Sequence, residues 1–441
     1  MTTVCVMGLG YIGLPTAALL ANNNYQVRGV DINEGYVSRL RRGDLPIEEP
    51  GLHTIVQSAI NSGRLAIEVT PAAADVFFIC VPTPITLDKK ADLGAVISAT
   101  TAILPHVEKG NLIILESTSP PGTTCSIICA RLEEKGLRPG EDVFVAYSPE
   151  RVLPGRILHE LISNPRIVGG INSESARRAR SLYESFVEGK VFETDATTAE
   201  LVKIVENTFR DISLAYVNEL SRMCEELGTD VWEVVELASQ HPRVKLLKPG
   251  PGVGGHCISV DPWFLVEKFG EKAKLIETAR RVNDQQPIFV AHKAARLLKG
   301  REGAKAAIWG IAYKGNVDDC RESPAFALIG ELRRSGVQIA LVDPHVETEK
   351  LHYTILQEDV FPDLDKARLE KEMRVHSDPL SGSAGADLVI LVADHQEFLQ
   401  VNPATLKKRV RTAQVLDTRK FLSKPEWERA GFAFHLLGKT K

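Results

Sequence analysis

The stretch VCVMGLGYIGLPTAALLANNNYQVRGVDIN, near the start of the chain, restricts the possible folds more than any other. Val4 to Met7 is a short apolar run of the kind buried in a parallel sheet. Gly8, Gly10 and Gly13 then give G-x-G-x-x-G at a turn. Leu14 to Ala21 reads as helix, and Gln26 to Val30 as a second strand ending at Asp31. Strand, glycines, helix, strand and acid, in that order, describe a dinucleotide-binding unit. A pyrophosphate is held at the helix N-terminus, where free N–H groups and the helix dipole favour an anion. Asp31 would accept from ribose hydroxyls and repel a 2′-phosphate, so NAD is expected over NADP.

More buried-strand patterns follow in ADVFFICVPTP, NLIILESTSPPGTT, VFVAYSPERVLPG and RIVGGI. Open α/β sheets bind ligands beyond the carboxyl ends of their strands. Thr83, Thr118, Glu150 and Arg151 fall there, either as site residues or as ordinary turn residues. From Thr197 to about Leu227 the apolar period becomes helical, through Leu201, Ile204, Val205, Ile212 and Ala215. Lys203, Asn207 and Arg210 share one face of that helix. The face is either a solvated stripe or the lining of an anionic ligand site. Ala273 to about Leu298 is helical again. From Glu302 the pattern returns to strands, in AKAAIW, VQIALVDPH, ADLVILVADH and AQVLDTRKF. This second α/β region lacks G-x-G-x-x-G and carries Lys314, Arg321 and Arg419 at its strand ends, which suits a phosphate bound by side chains.

The expected architecture is α/β, with two Rossmann-like parallel-sheet domains joined by a helical domain that contains a long helix. The expected boundaries are 1–195 for NAD binding, 196–300 for the central catalytic and dimerisation domain, and 301–441 for the nucleotide sugar.

A net charge of −4 gives no electrostatic case for nucleic-acid binding. No apolar run is long enough to span a membrane, and the chain opens in a strand pattern without a basic n-region. A cytoplasmic protein is expected. The seven cysteines include no CxxC pair, which argues against a disulfide framework or a cysteine-rich zinc site, and no metal is expected. Cys125 and Cys129 have helical spacing and read as core residues. Cys257 differs. It ends the glycine-rich run of PGPGVGGHCISVDPW, four residues before Asp261. On this stretch alone it is either a nucleophile or a small buried residue.

Taken together, GLGYIGLP, VPTP, EST, SPERVLPG, the Lys203–Asn207 helix, GVGGHC with Asp261, and YK with RES resemble the UDP-glucose/GDP-mannose dehydrogenase family over essentially the whole chain. Within it, PERVLPG, NTFRD, HPRV and PGPGVGGHCISVDPW resemble the branch that oxidises UDP-N-acetyl-D-mannosamine. UDP-glucose 6-dehydrogenases typically carry serine at His256 and a second glutamate at Pro154, which leaves Glu150 as the carboxylate for the hydrolytic water.

The resemblance implies two successive oxidations at C6 of a UDP-sugar, with two NAD and a thioester on Cys257. It implies that Lys203 and Asn207 stabilise the oxyanion and that Asp261 assists proton transfer. Tyr11, Ile12, Asp31, Thr83, Thr118 and Arg321 match NAD-contacting positions, and Thr118 also lies with the catalytic set. Arg151, Val152, Lys203, Asn207, Arg210, His241, Arg243, Gly254, Tyr313, Lys314 and Arg419 match sugar-nucleotide positions. Some of these contacts come from a neighbouring subunit in the family, so a homodimer or higher homo-oligomer is implied. UDP-N-acetylglucosamine and UDP-glucose stand as alternative substrates. A two-electron hydroxyacid dehydrogenase and a nucleotide-sugar or NAD sensor without chemistry are the competing functions.

Overall fold

The computed structural model describes residues 1–45, 47, 49–153 and 155–440. The chain divides into two compact units. One is Met1–Glu206 with Trp263–Gly270, and the other is Asn207–Pro262 with Glu271–Lys441.

The first unit holds an eight-stranded sheet. Its strands are β1 (Thr3–Met7), β2 (Gln26–Val30), β3 (Leu65–Glu68), β4 (Val76–Ile79), β5 (Leu112–Leu115), β6 (Phe144–Tyr147), β7 (Arg166–Gly170) and β8 (Val191–Asp195). The spatial order is β3-β2-β1-β4-β5-β6-β7-β8, so the winding reverses between β1 and β4. Residues of β4 and β5 are buried throughout because apolar layers cover both faces. That is why these strands read as continuous apolar runs rather than alternating ones.

All pairings are parallel except one: β7 runs antiparallel to β6, with Tyr147 opposite Gly169. This one reversal lies inside the expected parallel-sheet domain, and nothing in the apolar pattern of a strand encodes its direction. A correction concerns Cys125, read as a core residue, which is exposed while Cys129 is buried. Thr124–Cys129 is a π-helix, whose i→i+5 bonding removes the α-helical stacking of positions four apart.

The second unit holds a six-stranded, all-parallel sheet of β9 (Lys305–Trp309), β10 (Gln338–Val342), β11 (Val375–His376), β12 (Leu388–Leu391), β13 (Gln414–Asp417) and β14 (Ala433–Leu436). Its order, β11-β10-β9-β12-β13-β14, repeats the doubly wound pattern with a switch between β9 and β12. Two long helices, Ala196–Leu227 and Lys274–Leu298, account for the change of period in the middle of the sequence. Among the described residues no helix is long and apolar enough to cross a membrane.

Candidate active site

The turn after β1 is built so that only glycine fits. Gly8 has φ +89°, and a Cβ on Gly13 would lie 1.8 Å from the Gly8 carbonyl oxygen. Gly10 is different: a Cβ there would meet no atom within 4 Å. Packing does not require that glycine, and its absent side chain leaves the backbone open to close approach by a ligand. Asp31, at the end of β2, accepts from the amides of Leu9 at 3.1 Å and Asn33 at 3.0 Å. The acid is thereby fixed beside the glycine turn. Tyr11 and Ile12, both half-buried, complete that turn before the helix that follows. These residues fit a dinucleotide.

Beyond β4 and β5, Thr83 Oγ1 donates to the Thr118 carbonyl at 2.5 Å, so the two expected threonines meet. Glu150 follows β6 and is 8% exposed. Arg166 Nη2 donates to its Oε2 at 2.8 Å. Arg151 forms a two-pronged pair with Glu206, and Val152 packs on the apolar core. Pro154 lies outside the described residues. Lys203, half-buried, is one turn before Asn207 on the long helix.

In the second unit the glycine-rich segment brings three expected residues together. Asp261 donates its amide to the Cys257 carbonyl at 2.8 Å, closing a tight turn that starts the helix Asp261–Phe269. Asn207 Nδ2 donates to Asp261 Oδ2 at 2.6 Å. Thiol, carboxylate and amide thus belong to one local structure. Gly254 and Gly255 lie against Tyr313, and a Cβ on Gly254 would come within 2.4 Å of the Glu322 carbonyl oxygen. Gly250 packs against the Arg419 guanidinium, whose Nε donates to the Val392 carbonyl at 2.9 Å. Lys314 is half-buried beside Tyr313, its ammonium 5.5 Å from the ring centre. Arg210, His241 and Arg243 are exposed and are not gathered with the others.

Beside the expected Arg321 stands Asp319, which has no sequence signal of its own. Asp319 binds Arg321 through both oxygens, at 2.9 and 2.7 Å. His256 Nδ1 lies 3.1 Å from Arg321 Nη2 and 3.8 Å from Asp319 Oδ2. Burial pushes the His256 imidazole down, but Asp319 and the adjoining Cys257 sulfur more than offset this and raise it to about 9. Asp319 moves the other way. Burial raises it, yet His256 and Arg321 hold it far below the usual carboxylate range. His345, His395 and Glu397 place their ligating atoms within 4.8 Å of one another. Both His395 nitrogens are already engaged, by the Asn316 amide at 2.9 Å and Asp343 at 3.1 Å. The cluster is a hydrogen-bonded brace.

Comparison with known proteins decides the family. Residues 2–187, 197–285 and 307–424 match, in turn, the NAD binding, central and UDP binding domains of the UDP-glucose/GDP-mannose dehydrogenase family. The chain belongs to that family. It is 45% identical to the UDP-N-acetyl-D-mannosamine dehydrogenase of Methanocaldococcus jannaschii, over 99% of this chain and 97% of that one. The NDP-N-acetyl-D-galactosaminuronic acid dehydrogenase of Ralstonia solanacearum is 41% identical, over 95% of each chain. The solved UDP-D-ManNAc dehydrogenase of Pyrococcus horikoshii superposes with a TM-score of 0.89 at 37% identity, covering 99% of both chains. Membership makes the protein an NAD-dependent nucleotide-sugar dehydrogenase, with the glycine turn and Asp31 in its NAD-binding domain and a UDP-sugar as substrate.

Proposed function

We propose that the protein oxidises the C6 alcohol of UDP-N-acetyl-D-mannosamine to the carboxylate, in two hydride transfers, through a covalent intermediate on Cys257. The observation that carries this reading is the local assembly of Cys257, Asp261 and Asn207, in a chain similar end to end to UDP-N-acetyl-D-mannosamine dehydrogenases. The relatives named above all act, by name, on N-acetylated sugars, which favours that class over UDP-glucose.

NAD, when bound, accepts the hydride in each oxidation. The first leaves an aldehyde. Cys257 Sγ bonds to its carbon and gives a thiohemiacetal. Loss of the second hydride leaves a thioester, and water releases the carboxylate. A thiol suits both halves, being nucleophilic at neutral pH and a good leaving group. An asparagine amide has two N–H donors. Asn207 uses one on Asp261, which leaves the other for the oxyanion of the alkoxide and thiohemiacetal. Lys203 supplies positive charge to the same oxygen and, with Asp261, moves protons through an ordered water. Fixed donors of this kind are often the largest catalytic contribution. Glu150 takes the proton of the hydrolytic water. Thr118 and Thr83 support the cofactor side, and Arg321 serves the same cofactor. Arg151, Val152, Arg210, His241, Arg243, Gly254, Tyr313, Lys314 and Arg419 hold the sugar nucleotide. Dependence on a reduced thiol supports a cytoplasmic location.

A panel of UDP-N-acetylmannosamine, UDP-N-acetylglucosamine and UDP-glucose tests the proposal through NADH formed per sugar consumed. Two NADH are expected, with the mannosamine epimer fastest. One NADH would indicate a two-electron enzyme and none a sensor. Turnover of UDP-glucose alone would overturn the substrate assignment.

A further inference from the structure

The reversal of β7 brings a cation to the ligand end of the first sheet. Cys80, Glu116 and the Ser148–Glu150 segment all follow the carboxyl ends of parallel strands, β4, β5 and β6. A strand parallel to these would begin at the opposite end. β7 pairs Ala146 with Gly170 and Tyr147 with Gly169. Continued past β6, that register sets Arg166, the first residue of β7, against position 150.

Arg166 is 5% exposed there. Its Nη2 donates to Glu150 Oε2 at 2.8 Å, and its Nη1 to Glu116 Oε1 at 3.2 Å. Glu116 Oε1 also accepts from the Tyr183 hydroxyl at 2.6 Å, and its Oε2 from Cys80 Sγ at 3.3 Å. The Tyr183 ring lies 4.5 Å from the guanidinium carbon. One cation therefore serves two buried acids, and the Tyr183 ring and the Glu116 carboxylate brace it. Such a cluster is a poor source of stability, because apolar residues of similar volume are often as good or better. What it does supply is a fixed direction for each charge.

We propose that Arg166 is a positioning residue for the hydrolysis half of the reaction. It holds the Glu150 carboxylate, through a guanidinium itself braced by Glu116 and Tyr183. The inference rests on the thioester reading given under Proposed function. In the step concerned, the water oxygen bonds to the thioester carbonyl carbon. The C–S bond breaks, and its electron pair goes to the Cys257 sulfur. The water proton goes to Glu150, and no electrons are exchanged with the cofactor. Arg166 occupies one position on Glu150 Oε2 and the Arg151 amide one on Oε1. Each carboxylate oxygen keeps a second lone pair for the water.

The test compares the parent with Arg166→Lys, Arg166→Gln, Glu150→Gln and the double variant Glu150→Gln/Arg166→Lys. UDP-N-acetylmannosamine and NAD are supplied to each. NADH release in the first turnover, steady-state kcat, intact mass and the pH profile are measured. Arg166→Lys is expected to keep a near-parental first burst. Its steady-state rate should fall about tenfold, against about a hundredfold for Glu150→Gln, with the sugar adduct accumulating on the chain. Removing a cation from beside a carboxylate raises its pKa, so the acid limb of kcat in Arg166→Gln should move to higher pH. The double variant should be no slower than Glu150→Gln, since both changes act through one group.

Equal slowing of burst and steady state with an unmoved acid limb, or effects that multiply in the double variant, would overturn the role. Tyr183→Phe keeps the ring and removes one brace hydrogen bond, so it serves if the arginine variants do not fold. It should lower the steady-state rate several-fold with the burst intact, and a parental steady state would count against the proposal. The parent separates the two readings. A parent that forms no thioester refutes the proposed chemistry, whereas an active parent matched by Arg166→Lys refutes only the role of Arg166.

Discussion

At the scale of the residue, surroundings distinguish Cys257 from the other cysteines. Burial pushes the Cys5 and Cys320 thiols up to about 11 and Cys129 to about 12. Cys80 is raised as well, by burial and by Glu116. A thiol kept protonated is a poor nucleophile. Cys257 follows a run of glycines, and its own carbonyl accepts from the Asp261 amide at the start of the next helix. The expected behaviour of Cys257→Ser follows. The fold and the cofactor site are kept, because the change is one atom in size. Serine adds to an aldehyde less readily, and an ester is hydrolysed more slowly than a thioester. Turnover should drop by orders of magnitude, beyond the roughly tenfold that 1.4 kcal/mol of lost packing would give. Intact mass after incubation with substrate and NAD should show sugar attached at position 257. A serine variant that releases two NADH per sugar at near-parental rate would rule out covalent catalysis.

At the scale of the element, what the sequence revealed was whatever is local. The glycine turn, Asp31 and the long helix depend on spacing within one segment, and the structure places them within a residue or two of the expected bounds. Arg166 was hidden because it opens an apolar run that looks like every other strand, and only the direction of β7 makes it a site residue. The edge strand β11 escaped for want of length, being two residues long, and β14 because its partly exposed Ala433–Leu436 run has no continuous apolar pattern. Asp319 and Glu358 were hidden for another reason, since one lies in a loop and the other at a helix end, and each acts through residues far from it in sequence. Glu358 accepts from the Glu322 amide at 3.3 Å. Burial, together with the charges of Glu322 and Asp319, raises its carboxyl to about 7, from an ordinary value of 4.5. The folded chain therefore binds this proton more tightly than the unfolded one. Between pH 4.5 and 7 the folded state holds more protons, so this group's contribution to stability falls as pH rises and levels off above 7. Glu358→Gln removes that penalty. The variant should gain stability over the parent, by about 1 kcal/mol more at pH 8 than at pH 5 after allowance for solvent screening. Urea midpoints at the two pH values check this, and an equal gain at both would show that Glu358 does not titrate in this way.

At the scale of the whole molecule, the long helix carries exposed apolar side chains as well as buried ones. Ile204, Ala215 and Val217 are buried. Leu201, Val205, Phe209, Tyr216, Met223 and Leu227 are exposed, with Phe209 at 70%. Phe209, Tyr216 and Met223 recur every seven residues. A seam with that repeat is what two helices bury when they pack along their length. Isologous pairing across a two-fold axis lets one stripe serve as both partners. The occupant expected on this face is therefore a second copy of the chain. Placing like charges at the centre of the seam should separate the copies. Phe209→Glu with Met223→Glu should run as a monomer in sedimentation velocity at micromolar concentration, where the parent is expected to run as a dimer or larger. Exposed Arg243 and His241 suit a site completed from the neighbouring subunit, so the monomeric variant should also lose sugar-nucleotide affinity while keeping NAD binding. A parent that sediments as a monomer at every concentration would remove the dimer. A charged variant that is monomeric yet binds substrate as the parent does would show that each chain carries a complete site.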